Sequence, residues 1–377
     1  MKVKGLQMAA RVNRLESLDA LRGFDMFFIT GGSLLIASLA KLFGDSGGWL
    51  VAQMKHVPWE GLAHHDTIFP LFLFLAGVSW PFSHASQVAK GATRGRIYLK
   101  ILCRAAILFA FGMSLGGILK FKPTFRIPSV LGYIGVCWAF AAVLFLNVKR
   151  AWTRAAVVLA LLLGYWALLS FAIAPDAPAD AGHFSKAGNI VSWLDRTVMP
   201  NHIYSVGVYE PESLFSVPGG IALALLGLMA GAWLRREDVA TSRKPLGLAA
   251  FAAVLLALDM IFMFVLGDRI VKALWTSSFV LSAAVYSSAM LALFYWLVEV
   301  KGWRRWAFYF RVIGMNSITV YMAQAVIGFE RARDFFFYGL AHAVPDAWSP
   351  VVSSFGYLAV VWAFLYFLYR RGIFLKV

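Results

Sequence analysis

Long apolar runs recur along this chain, and they constrain its fold more than any other feature. A transmembrane helix needs about 20 predominantly apolar residues. Only 14% of the residues are charged, whereas an average soluble domain carries about 25%. Because a bilayer admits only helices and closed barrels, runs of this length predict helices. We therefore predict an all-α polytopic integral membrane protein with about ten transmembrane helices in one bundle.

The predicted spans follow one another with mostly short connections, which indicates a single domain over residues 1–377. Two connections are longer, at 41–65 and 175–213, and long loops in compact proteins often carry function. The ten candidate spans lie near residues 17–40, 66–86, 99–119, 129–147, 153–174, 214–234, 245–267, 274–298, 308–328 and 352–370. An even number of spans places both termini on one side of the membrane.

The basic residues fall in short clusters between the apolar runs, where they determine the membrane topology. The net charge of +16 therefore does not indicate a nucleic-acid partner. Seventeen Lys and Arg residues lie on the side of the termini and eleven on the other side. The positive-inside rule then predicts cytoplasmic termini and outward loops at 41–65 and 175–213. The N-terminal stretch MKVKGLQMAARVNR lacks a small-residue cleavage site before the first span, which we expect to be retained.

The segment HVPWEGLAHHDTIFP, residues 56–70, gathers three histidines and two carboxylates directly before a long apolar run. Ionisable groups at a membrane boundary indicate a working site. His56 is a candidate general base, and Asp66 can cap the following helix, orient an imidazole, or do both. Trp59 offers an aromatic floor for a sugar. His64, His65 and Asp66 lack the further spaced ligands of a zinc site, so no metal is predicted.

Polar residues also occur inside several predicted spans. Asp19 and Arg22 are three residues apart on one helix face and can form an internal ion pair or one wall of a polar pocket. LWTSS at 274–278 and GMNS at 314–317 place Trp275 and Asn316 within apolar helices. Hydroxyl and amide groups there either join helices or line a site, and the sequence leaves both interpretations open.

Six segments in a fixed order resemble the heparan-alpha-glucosaminide N-acetyltransferase family, and more closely its short bacterial relatives linked to N-acetylglucosamine use. The block His-x-x-Trp-x-Gly-Leu-x-x-x-Asp-x-x-Phe-Pro is the most specific of these features. The similar segments are SLDALRGFDM at 17–26, HVPWEGLAHHDTIFPLFLFLAG at 56–77, YEPESLFSVPG at 209–219, LWTSSFVL at 274–281, YWLVEVKGWRRW at 295–306 and GMNSI at 314–318.

This resemblance implies a transmembrane acyltransferase of the bacterial inner membrane. Such an enzyme takes acetyl from cytosolic acetyl-CoA, its co-substrate, and delivers it to the amine of a glucosamine-type sugar on the far side. His56 occupies the position of the active-site histidine, as a general base or a transiently acetylated group, and Asp66 supports it. The other implied residues are Trp59, Glu60, Glu212, Trp275 and Asn316 for the sugar, and Arg22, Asp25 and Ser33 for the coenzyme. A homodimer is a candidate assembly.

Two positions depart from the family pattern. Ser33 stands where the lysosomal enzyme has a functional asparagine, and Gly132 and Tyr133 stand where relatives commonly carry Gln-Arg. Two other functions remain open at this point. One is a permease for N-acetylglucosamine or a related amino sugar, in which the same polar groups bind cargo near the middle of the membrane. The other is a scaffold with a degenerate site.

Overall fold

The described part of the chain is mostly helical. The computed structural model describes residues 15–121, 123–204 and 207–375, which contain two isolated bridges but no β-strand. The basic residues of segment 1–14 and Lys122, which entered the orientation prediction, lie outside this part. The helices are α1 Glu16–Phe27, α2 Ser33–Lys41, α3 Gly48–Gln53, α4 His64–Ala89, α5 Arg94–Leu115, α6 Val130–Asn147, α7 Ala151–Phe171, α8 Ile190–Val198, α9 Val217–Leu234, α10 Lys244–Phe264, α11 Ser277–Tyr295, α12 Ala307–Gly314, α13 Ser317–Val326, α14 Phe329–Ala343 and α15 Ser349–Arg371.

The all-α polytopic membrane fold predicted from the sequence is confirmed. Within the described residues, nine helical segments are long and apolar enough to cross a membrane. They are Glu16–Lys41, α4, α5, α6, α7, α9, Thr241–Phe264, Ser277–Val300 and α15. The protein is therefore a multi-pass membrane protein.

The prediction of one continuous helix over 308–328 is wrong. α12 ends at Gly314, and α13 begins at Ser317 after non-helical backbone at Asn316 (φ −126°, ψ 30°). Ser317 Oγ donates to the Gly314 carbonyl oxygen at 2.9 Å. Such short polar side chains compete locally for backbone hydrogen bonds, which apolar length does not reveal. The break lies inside the bundle, where Asn316 and Ser317 are buried.

Glycines bring α4 and α9 into backbone contact at the centre of the bundle. A Cβ atom at Gly77 would lie 2.4 Å from the Ala224 carbonyl oxygen, and one at Gly227 would lie 2.2 Å from the Phe74 carbonyl oxygen. Lipid offers no hydrophobic drive for helix association, so close packing through small residues is a main source of stability. The pair forms the buried axis around which the other spans pack.

The first span bends between α1 and α2. Gly31 has φ +116° inside the turn Phe28–Gly32, a conformation that a side chain rarely adopts. The Thr30 hydroxyl donates to the Met26 carbonyl oxygen at 2.9 Å and so satisfies a backbone group at the bend. After the bend, α2 carries Ser33 to within 3.1 Å of the ring of His65, next to the start of α4.

Three loops meet above the N-terminus of α4. The Trp59 indole N–H donates to the Phe184 carbonyl oxygen at 2.8 Å, which ties the 41–65 connection to the 175–213 connection. The Gly61 amide donates to the Ile270 carbonyl oxygen at 2.8 Å, and Glu60 pairs with Val271 in an isolated bridge. These backbone bonds position the candidate site at this end of the bundle.

Candidate active site

His56 and Asp66 form a hydrogen-bonded pair at the start of α4. His56 Nδ1 lies 2.7 Å from Asp66 Oδ1. Asp66 Oδ2 accepts the Val57 amide at 3.2 Å and the Ala63 amide at 3.1 Å, so the same carboxylate caps the helix. The Asp66 side chain is fully buried, whereas that of His56 is 55% exposed. A proton on Nδ1 leaves Nε2 as the hydrogen-bond acceptor, which is the form a general base needs.

Lys272 completes a three-membered cluster with this pair. Its Nζ lies 2.9 Å from His56 Nδ1 and 3.2 Å from Asp66 Oδ1. The Lys272 side chain is 19% exposed. Burial lowers the pKa of Lys272, and the charges of Asp66 and Glu212 oppose that shift. A carboxylate, an imidazole and an ammonium group thus meet at one point.

A cavity of about 270 Å³ opens beside this cluster. Trp59 and Tyr209 form one wall, with ring centroids 5.2 Å apart in an edge-to-face arrangement. Tyr204 extends the aromatic wall, with its ring 6.2 Å from that of Tyr209. Aromatic surface next to a few convergent polar groups is typical of small-molecule sites. The cavity lining comprises His56, Val57, Pro58, Trp59, Asp66, Arg126, Tyr204, Tyr209, Pro211, Glu212, Lys272 and Ala273.

Arg126 joins two buried glutamates in the cavity lining, and its guanidinium lies 4.9 Å from the ring centroid of Tyr204. Its Nε donates to Glu210 Oε2 at 3.0 Å, and its Nη2 contacts both Glu210 and Glu212. Burial raises the pKa of Glu212; the Arg126 guanidinium opposes this and Glu210 adds to it. The two carboxylates raise the pKa of Arg126 above its ordinary value, against the effect of burial. Arg126 therefore remains a cation and is bound by Glu210 and Glu212.

The predicted sugar-binding residues divide into two groups. Trp59 and Glu212 line the cavity. Glu60 lies outside the lining and forms an ion pair with Arg269 at 3.1 Å. Trp275 is 1% exposed and packs on Tyr133 with centroids 4.6 Å apart, so both aromatic rings belong to the core. Asn316 is buried at the break between α12 and α13.

The predicted coenzyme residues lie in different places. Arg22 lines a second cavity of about 200 Å³ together with Arg104, Met315 and other residues. Asp25 is buried in α1, and its Oδ2 has no hydrogen-bond partner among the described residues. Ser33 contacts His65, whose ring lies 4.5 Å from that of His56, so Ser33 borders the His56 cluster and not the Arg22 cavity.

Sequence reasoning used Arg126 and Lys272 only as loop charges and did not place them at a site. Lys272 directly precedes the ALWTSS segment, and that position next to a recognisable motif is the signal that could have identified it. Arg104 had no sequence signal beyond a cation inside an apolar run. In the structure its guanidinium lies 4.2 Å from the ring centroid of Trp138.

These features define a polytopic membrane protein with a polar, aromatic-walled cavity at one end of its bundle and a histidine–carboxylate pair at the cavity wall. No family model matches the chain. Two curated relatives do, both named heparan-alpha-glucosaminide N-acetyltransferase. The human protein is 25% identical over 98% of this chain and 61% of its own length, and the mouse protein is 26% identical over 84% of this chain and 54% of its own length. Over most of its length the chain is therefore similar to heparan-alpha-glucosaminide N-acetyltransferases, and it spans about three fifths or less of the length of these relatives.

Proposed function

We propose that this protein is a transmembrane N-acetyltransferase that moves acetyl from cytosolic acetyl-CoA to the amine of a glucosamine-type sugar. The observation that carries the proposal is the His56–Asp66 pair, with a hydrogen bond of 2.7 Å, at a cavity large enough for a sugar ring. The relatives are named for N-acetyl transfer to glucosaminide groups, which supports the same chemistry here.

At the acceptor side, His56 acts as the general base. Its Nδ1–H donates to Asp66, so Nε2 takes the proton as the amine attacks the thioester carbonyl carbon. The N–C bond forms, the C–S bond breaks, and the proton passes to the departing thiolate. The Trp59 and Tyr209 wall supports the sugar, and Glu212 offers a carboxyl group to its hydroxyls. Holding amine and thioester together in one site lowers the barrier as well.

At the donor side, the Arg22 and Arg104 cavity suits the phosphates of the coenzyme, because guanidinium groups match phosphate geometry. A narrow apolar cavity of about 30 Å³ adjoins it and shares Phe72, Ser317 and Ile318 with it. Tyr321 lines that narrow cavity too, within α13. In this arrangement the cationic cavity takes the phosphates, and the apolar cavity beside it suits the acyl-pantetheine arm.

The proposed orientation places both termini in the cytoplasm and the His56 cavity outside, at the inner membrane of a bacterium. The Lys and Arg distribution along the sequence supports it. With this orientation acetyl-CoA reaches the bundle from the cytosol and the sugar reaches His56 from the other side. Free glucosamine or a short amino-sugar fragment fits a cavity of about 270 Å³ better than a polymer does.

The first test is acetyl transfer from labelled acetyl-CoA to glucosamine by the full-length protein in liposomes. We expect labelled N-acetylglucosamine with glucosamine as acceptor and no product with glucose, which lacks an amine. Binding of acetyl-CoA is measured in parallel by calorimetry. Amino-sugar flux with neither transfer nor coenzyme binding would replace the proposal with the permease alternative.

Replacing Trp59 with Ala is expected to raise KM for the sugar about tenfold and leave KM for acetyl-CoA unchanged. The loss of one aromatic contact is worth on the order of 1.4 kcal/mol, which is about tenfold in affinity. Trp59→Phe keeps an aromatic ring, so its KM for the sugar should lie between those of wild type and Trp59→Ala. Trp49→Ala is the matched control, because Trp49 is 72% exposed and lies outside the cavity lining. Equal effects on both KM values would indicate a general distortion.

Replacing Asp66 with Asn is expected to lower kcat about a hundredfold with little change in either KM. The amide keeps an oxygen for His56 but loses the charge that stabilises the protonated ring during transfer. In Asp66→Asn the new NH₂ group would face the Val57 and Ala63 amides, which are donors themselves, so these two hydrogen bonds would be lost. Steady-state kinetics measure the loss of rate, and ¹⁵N spectra of labelled histidine report which ring nitrogen of His56 carries the proton. A rate equal to wild type would restrict Asp66 to helix capping.

A further inference from the structure

The turn that carries Lys272 is fixed against the His56 loop by the backbone. The Glu60–Val271 bridge and the Gly61 to Ile270 hydrogen bond join the two segments directly. On the other side, the Val271 amide donates to Thr276 Oγ1 at 3.1 Å, and Thr276 is fully buried. These contacts fix the backbone of the turn that carries Lys272 beside the His56 loop.

His56, Asp66 and Lys272 together carry more N–H donors than the cluster has acceptors. His56 Nδ1 has one site for a proton or a lone pair, yet Asp66 Oδ1 and Lys272 Nζ both lie within 3 Å of it. When Nδ1–H donates to Asp66, the ring offers Lys272 no acceptor. Within the described residues, Asp66 Oδ1 at 3.2 Å is then the one acceptor that remains for a group with three N–H donors. At least one Lys272 N–H is available to a molecule in the cavity.

Arg126, the second cation of the cavity lining, already has carboxylate partners. Arg126 is engaged by Glu210 and Glu212. Lys272 lines the same cavity and is the cation next to the imidazole. Its low exposure strengthens any interaction with a developing charge, because the low dielectric of a buried site screens less.

Resting on the proposed function, we propose that Lys272 is a second catalytic residue, whose ammonium group donates a hydrogen bond to the thioester carbonyl oxygen. As the amine nitrogen bonds to the carbonyl carbon, the C=O π electrons move to oxygen, and Lys272 stabilises the resulting oxyanion. His56 Nε2 takes the amine proton. When the C–S bond breaks, the oxygen electrons re-form the C=O bond and the thiolate leaves with the proton from His56. Lys272 keeps its own proton throughout.

The test compares Lys272→Met with wild type in the liposome assay, using acetyl-CoA and its dithioester analogue, in which C=S replaces C=O. Sulfur is a weak hydrogen-bond acceptor. We expect Lys272→Met to lower kcat with acetyl-CoA about a hundredfold, as removal of an oxyanion donor does, and to lower it far less with the dithioester. KM for glucosamine should change less than threefold. Lys272→Arg should restore part of the rate.

Lys55→Met is the matched control, because Lys55 is exposed, precedes His56 in the chain and does not line the cavity. If Lys272→Met does not yield folded protein, Lys272→Gln replaces it: the shorter, neutral side chain removes the charge but keeps an N–H donor, so kcat with acetyl-CoA should fall less than in Lys272→Met and still fall more than with the dithioester. Equal losses with the two donors would overturn the catalytic role, since a structural defect affects both alike. An unchanged kcat would overturn it too. Absence of transfer by wild type would instead remove the proposed function itself.

Discussion

Replacing His56 with Asn is expected to lower kcat for acetyl transfer by a factor of about 10² to 10⁴, the usual contribution of a general base. Asn retains an N–H donor toward Asp66, so the hydrogen bond that is 2.7 Å long in wild type can be kept in another form. What disappears is the basic ring nitrogen. Because the side chain of His56 is 55% exposed, the substitution creates no buried cavity and should leave the fold intact. Single-turnover kinetics with labelled acetyl-CoA measure the loss.

The affinity for acetyl-CoA should stay within threefold in His56→Asn, because His56 lines the cavity beside Asp66 and not the Arg22 cavity. His183→Asn is the matched control: it removes a histidine of the 175–213 connection that lies outside the lining of the His56 cavity. A rate in His56→Asn close to that of wild type would contradict the role of base. Incubation with labelled acetyl-CoA but no acceptor separates two mechanisms. Direct transfer leaves the protein unlabelled, whereas a covalent mechanism labels wild type and not the variant.

The apolar runs were sufficient to predict the membrane fold, since bilayer thickness sets a length that a sequence either reaches or does not. The apolar runs were not sufficient to predict the helix break between α12 and α13, after Gly314. Met315 and Asn316 interrupt a run that is otherwise apolar enough to span, and only the packed structure shows that the backbone leaves the helix there. The additional helix α14 between that break and α15 was missed for the same reason. Its exposed aromatic residues and charges do not form an apolar run.

The candidate site was predictable only where its residues are close in sequence. His56 and Asp66 are ten positions apart, and the loop and first helical turn between them bring them together. Lys272 is 216 positions from His56, and the contact depends on pairing between two loops. Loop pairing arises from tertiary packing and leaves no period in the sequence. The ion pair of Arg126 with Glu212 crosses 86 positions and was missed likewise.

Replacing Gly314 with Ala is expected to destabilise the bundle by at least about 3 kcal/mol, at the upper end of the usual cost of overpacking. A Cβ atom there would lie 1.9 Å from the Asp19 carbonyl oxygen and 2.8 Å from the Gly23 amide nitrogen. A Cβ atom at Gly23 would meet the Phe310 carbonyl oxygen at 1.6 Å, so α1 and α12 are in backbone contact. No side chain can move aside to relieve the clash. The helices must separate, and the Arg22 cavity, which Gly314 lines, changes with them.

Thermal unfolding in detergent, followed by size-exclusion chromatography, measures this effect as a lower midpoint and a smaller monodisperse fraction. Gly164→Ala is the matched control, because Gly164 lies within α7 and nothing lies within 4 Å of its Cβ position. Ala has the higher helix propensity, by about 1 kcal/mol, so the control should unfold at the same temperature or higher. Equal midpoints for the two variants would mean that α1 and α12 do not touch through their backbones. Acetyl-CoA affinity should fall in Gly314→Ala and not in the control, because the contact between α1 and α12 shapes the cavity that Arg22 lines.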